Sequence, residues 1–148
     1  MQTGSAGGAN GTAWWHFRHG ADIGVAGRGA TPAQAFEQAA WALVAVVTDP
    51  ASVEHAERVD IECDAPALDL LLVDWLNALV FEMAARDLLF GAFSVQIESG
   101  HLTASAWGER VDRARHQPAV EVKGATYTEL AVEQEPSGEW TARCVVDV

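Results

Sequence analysis

Residues 14–47 read WWHFRHGADIGVAGRGATPAQAFEQAAWALVAVV, and the fold class is decided here. Trp14 to Arg18 is a short aromatic-rich stretch, His19-Gly20-Ala21-Asp22 is a polar turn, and Ile23 and Val25 alternate with small residues up to Gly29. That order predicts strand, turn, strand. Thr31-Pro32-Ala33-Gln34 then supplies a helix start. Thr31 suits the N-cap, Pro32 occupies the first helical position where its missing N–H costs nothing, and Gln34 can reach back. The helix should end near Val47, because Asp49 precedes Pro50 and a residue before proline is pushed out of the α region. At about 100° per residue, Gln34, Glu37 and Gln38 form one polar stripe that continues through Trp41 and Ala45. Trp41 is therefore either exposed, as a partner-binding side chain would be, or covered by a neighbouring loop or strand.

Outward from this run, Arg58 to Cys63 alternates as a strand, and Ala65-Pro66 breaks it before a second helix from about Leu68 to Arg86. That helix is apolar nearly all round, which predicts the central core helix of the fold. Leu88 to Glu98 and Leu102 to Gly108 flank Ser99-Gly100, a tight hairpin turn. Further strands are expected around Val120 to Thr126, Leu130 to Gln134 and, after the Pro136-Ser137-Gly138 turn, Trp140 to Val146. Consecutive strands with two main helices define an α+β class with a mostly antiparallel sheet. The expected organisation is a Gly-, Ala- and Ser-rich disordered tail over 1–12 and a single domain over 13–148.

The chain has 148 residues, 49% of them apolar, enough for one domain with a sizeable core. Its formal charge of −12 opposes direct capture of nucleic acid by phosphate neutralisation, so no stable nucleic-acid binding is expected. An acidic surface serves solubility first, and it also suits divalent cations or a basic protein partner. Cys63 and Cys144 lack metal-ligand spacing and read as reduced core residues. The amino-terminal stretch has neither a basic nor an apolar region of a secretory signal, and Asp74, Asn77 and Glu82 interrupt the longest apolar runs. A cytoplasmic protein without a membrane span is predicted.

No glycine-rich phosphate loop with its lysine, no His-Glu-x-x-His and no Gly-x-Ser-x-Gly is present. What remains is a set of hard oxygen ligands. Asp22 follows a turn between strands, and Asp147 closes the strongly β-type run Cys144-Val145-Val146, one residue before Val148. With the last strand ordered to its end, the Asp147 side chain and the Val148 carboxylate could share one ion, a donor set suited to calcium or magnesium. Acidic residues near chain ends are more often merely solvated. Lys123 is the only lysine beside eight arginines, and a compact ammonium differs from a guanidinium in hydration and donor geometry.

His19-Gly20-Ala21-Asp22-Ile23-Gly24, Leu72-Val73-Asp74-Trp75-Leu76-Asn77, Gly108-Glu109 with Asp112 and His116, Glu121-Val122-Lys123-Gly124-Ala125-Thr126-Tyr127, and the ending Val145-Val146-Asp147-Val148 occur in this order. Together they resemble the archease family over everything from about Trp14 onward. Thr128 departs from the pattern, since relatives often carry histidine there. The resemblance implies that Asp22, Asp147 and the Val148 carboxylate bind a divalent cation, and that Lys123 is a further, ligase-activating residue near them. It also implies a protein that promotes the guanylylation and repeated turnover of a GTP-dependent, RtcB-type RNA ligase in tRNA splicing or RNA repair, without catalysis of its own.

Two histidines are further candidates. His19 could ligate the ion or orient Asp22, though a turn histidine more often holds its own backbone. His116, in the charged segment Arg110 to Gln117, could touch a partner or simply be solvated. Two other functions stand beside the cofactor reading: an independent metal-dependent hydrolase using Asp22 and Asp147, and a chaperone-like binding module acting through Trp41.

Overall fold

The computed structural model describes residues 12–148. The expected disordered tail over 1–12 falls, except for Thr12, outside the described residues. The chain is α+β, with eight strands in two antiparallel sheets and two long helices. The strands are β1 (Ala13–His19), β2 (Asp22–Gly29), β3 (Glu57–Asp64), β4 (Leu88–Glu98), β5 (His101–Arg110), β6 (Gly124–Ala125), β7 (Ala131–Gln134) and β8 (Trp140–Asp147). The helices are α1 (Pro32–Val47), α2 (Leu68–Arg86) and the short α3 (Arg113–His116). One sheet has the order β1-β2-β8-β6 with β7 also on β8, and the other has the order β3-β5-β4.

The opening run folds as its residues dictate. Thr31 Oγ1 accepts the Gln34 N–H at 3.2 Å, and Gln34 Oε1 accepts the Ala30 N–H at 2.9 Å, so the helix start is closed from both sides. α1 then lies directly on β2. A Cβ at Gly27 would collide with the backbone of Ala35 and Ala39, so the glycine and the two alanines together allow this close approach. Only the predicted stripe of Gln34, Glu37, Gln38, Trp41 and Ala45 meets solvent along the interior of α1. Trp41 is half-buried and sits edge-on to Phe93 with ring centroids 6.0 Å apart, so a strand side chain covers part of it.

The expectation of α2 as the central helix is corrected. α1 carries the core, with Phe36, Leu43 and Val44 fully buried between the two sheets. α2 buries only its first part, through Leu71, Leu72, Val73, Trp75, Leu76 and Leu79. Its last turns face solvent, and Phe81 is 66% exposed. The two helices are joined where the Trp75 indole donates to Phe36 O at 3.1 Å. In the β4–β5 hairpin, Ser99 and Gly100 both take positive φ, 50° and 77°, as a two-residue turn of the expected hand requires.

The strand expected from Val120 to Thr126 shrinks to Gly124–Ala125. β8 still finds partners along its whole length, but irregular backbone supplies some of them: Thr126 N–H donates to Val145 O at 3.0 Å and Val145 N–H to Thr128 O at 3.0 Å. Glu129, at φ 56°, turns the chain before β7 resumes the ladder. The thiols of Cys63 and Cys144 are both free. Burial is the first cause that pushes them up, to about 11 and about 12, which leaves them protonated and inert at neutral pH. Among the described residues, no helix is long and apolar enough to cross a membrane.

Candidate metal centre at the end of the β1-β2-β8-β6 sheet

Register brings the candidate residues together. His19 opposes Asp22 across the β1–β2 turn, and Ile23 opposes Val146 in the β2–β8 ladder. That register, continued one step outward, would set Asp22 opposite Asp147, which opposes Gly124 of β6 on its other side. Residues directly opposite in an antiparallel sheet project to the same face with Cβ atoms about 5 Å apart. His19, Asp22 and Asp147 therefore form one row across the end of the sheet.

The last residues are held rather than frayed. β8 is flanked by β2 on one side and by β6 and β7 on the other. Val148 packs its half-buried side chain against the core, and its N–H donates to Asp22 Oδ1 at 3.4 Å. Lys123 joins the group through its backbone, its N–H donating to Asp147 O at 2.8 Å, while its side chain is exposed. The Asn77 carboxamide, which the sequence marks as a polar residue of α2 and the end of the Leu72-to-Asn77 stretch, grips Ala125 from the helix side.

The donors expected from the sequence, Asp22, Asp147 and the Val148 carboxylate, are all hard oxygens at one end of the sheet, a chemistry that would fit a divalent cation. Among the described residues, no three His, Cys, Asp or Glu side chains by themselves form a metal-holding group. His19 is exposed and its ring makes no hydrogen bond among the described residues, so it does not hold its own turn as expected.

His116 does not belong to this group, and the expectation of a solvated or partner-touching histidine is corrected. Asp112 caps α3 by accepting the Ala114 and Arg115 N–H groups, and this turn carries His116 inward to 4% exposure. Asp112 N–H donates to His116 Nδ1 at 2.8 Å, His116 Nε2 faces Glu109 Oε2 at 3.0 Å, and Thr48 Oγ1 donates to His116 O at 2.6 Å. The ring holds α3 to Glu109 at the end of β5, and the His116 carbonyl ties it to Thr48 at the end of α1.

A groove of about 400 Å³ lies elsewhere, between the last turns of α2 and the segment from Pro118 to Val122. Its walls are mainly apolar, including Val80, Met83 and Val120, and they include neither Asp22 nor Asp147.

The Archease protein family matches residues 14–148. The protein archease of Pyrococcus furiosus is 37% identical over 139 residues, covering 91% of this chain and 98% of that protein. Its counterpart from Thermococcus gammatolerans is 39% identical over 139 residues, with the same coverage. The solution structure of Methanobacterium thermoautotrophicum protein 1598 superposes with a TM-score of 0.80 at 32% identity, covering 91% of this chain and 98% of that one.

Proposed function

This chain belongs to the archease family, and from that premise we propose that it is a metal-dependent protein cofactor of a GTP-dependent, RtcB-type RNA ligase. It promotes guanylylation and multiple turnover of the ligase in tRNA splicing or RNA repair, and does no joining itself. The observation that carries the reading is the row of Asp22 and Asp147 with Val148 tied to Asp22. Asp22, Asp147 and the Val148 carboxylate hold the divalent ion, calcium or magnesium. When bound, the ion supplies local positive charge that draws the three carboxylates into one fixed arrangement. The protein's own residues do the rest: β2 and β8 fix the two aspartates, Asp22 secures Val148, and the exposed Lys123 presents an ammonium beside them.

Exposed apolar groups that flank Lys123 in the sequence favour a protein partner over a small substrate. Val120 is 40% and Tyr127 70% exposed, on either side of Lys123 in the sequence. Docking on a ligase would cover them. The proposal is tested by multiple-turnover RNA ligation with a cognate ligase, with and without this protein, in the cytoplasmic metal range. A rise in ligations per ligase molecule, with no ligation by this protein alone, is expected; unchanged ligase turnover would sink the proposal.

A further inference from the structure

We infer that Asn77 is the positioning residue for the Lys123–Asp147 end of the sheet, acting through β6; its importance to function rests on the reading of that end as the working site. Asn77 is half-buried on α2. Its carboxamide meets the Ala125 backbone twice: Ala125 N–H donates to Asn77 Oδ1 at 2.8 Å, and Asn77 Nδ2 donates to Ala125 O at 3.4 Å. A side-chain amide placed in this way does what a neighbouring strand would do. β6 has β8 on one side and Asn77 on the other.

β6 needs this help because it is only two residues long. Such a strand has too few ladder bonds to define its own place. Gly124 lies so near that an added Cβ would stand 3.3 Å from Asn77 Oδ1. From Ala125 the path to the site is short. Gly124 opposes Asp147, and the preceding Lys123 donates its N–H to Asp147 O at 2.8 Å. Burying a carboxamide in an apolar helix is costly unless it is satisfied. Here it is satisfied by the segment that carries Lys123, so α2 sets where the lysine and the last aspartate stand. Leu72, Val73, Trp75 and Leu76 of the same motif are buried, whereas the carboxamide bonds only Ala125.

The test compares full-length wild type, Asn77→Ala, Asn77→Asp and Leu79→Ala. Calcium affinity is measured by titration calorimetry and the Lys123 and Ala125 amides are followed by hydrogen exchange. Leu79 is fully buried on the same helix, so its variant controls for simple destabilisation. Asn77→Ala should lose on the order of tenfold in calcium affinity, the scale of other groups that orient ligands from behind, and its Lys123 and Ala125 amides should exchange faster. Asn77→Asp keeps the Oδ1 acceptor and should restore slow exchange at Ala125. Leu79→Ala should lower the melting temperature and leave both readouts unchanged. Wild-type calcium affinity together with slow Lys123 exchange in Asn77→Ala would overturn the inference, as would an equal effect of Leu79→Ala. Absence of calcium binding by the wild type would overturn the metal reading instead. Lys123 exchange would then decide for Asn77, with faster exchange in Asn77→Ala supporting it and equal rates overturning it.

Discussion

Asp22 Oδ1 accepts the backbone N–H of Val148 at 3.4 Å, linking two residues 126 positions apart. Asp22 therefore has two separable properties, a hydrogen-bond acceptor for Val148 and a negative charge for a cation. Asp22→Asn keeps the acceptor and removes the charge. Thermal unfolding of this variant should differ from wild type by less than about 1 kcal/mol, as for most partly exposed substitutions. Its calcium or magnesium affinity, read by calorimetry, should fall at least on the order of tenfold. Wild-type affinity in Asp22→Asn would remove that carboxylate from the donor set.

Lys123→Arg keeps the positive charge and replaces a compact ammonium with a planar fork. The lysine side chain is exposed and the bond to Asp147 uses its backbone, so folding and cation affinity should be unchanged. Ligase turnover should fall severalfold. Full turnover with arginine would show that charge alone suffices at this position.

The approach of α1 to β2 gives a stability prediction. In Gly27→Ala the new methyl would meet backbone atoms of Ala35 and Ala39, which cannot swing aside as a side chain could. Overpacking of this kind should cost about 3 kcal/mol, visible as a lower urea midpoint. An unchanged midpoint would mean that α1 can shift on the sheet.

Glu109 predicts the acid limb of stability. Arg115 Nη2 donates to Glu109 Oε1 at 2.5 Å, and the Glu54 N–H donates to Oε2 at 2.7 Å. Chiefly the Arg115 hydrogen bond, and then that of Glu54, holds the Glu109 carboxyl down from an ordinary 4.5 to about 2. A carboxylate depressed by folding contributes stability that is complete above its unfolded value and lost as pH falls through the folded one. The gap in melting temperature between wild type and Glu109→Gln should therefore be largest above pH 4.5 and close as pH falls towards 2. A gap independent of pH across that window would assign the stability to something other than the Glu109 charge.

Much of the fold was legible because its signals are local. Thr31, Pro32 and Gln34 mark the start of α1, and Ser99-Gly100 marks a hairpin, through bonds made within a few residues. Burial is not local, and here the reading went astray. The all-round apolarity of α2 suggested the central helix, yet Phe81 is 66% exposed because no later segment covers it. The small residues Gly27, Ala35 and Ala39 were the better sign of a buried helix, since they allow close approach. His116 looked solvated among Arg113, Arg115 and Asp112, because its inward placement depends on Glu109 across the turn and on Thr48, 68 positions away in sequence. The pairing of Asp22 with Asp147 follows from β2 and β8 being neighbours, which no hydrophobic period encodes. The family resemblance named those two residues, and the strand register puts their strand ends side by side.

The most direct test of the central claim is the number of ligations completed per ligase molecule in the presence of wild-type protein or Asp147→Asn, each confirmed folded by circular dichroism. The account predicts sustained multiple turnover with wild type and a fall to the unassisted level with Asp147→Asn. Equal turnover with both would contradict it.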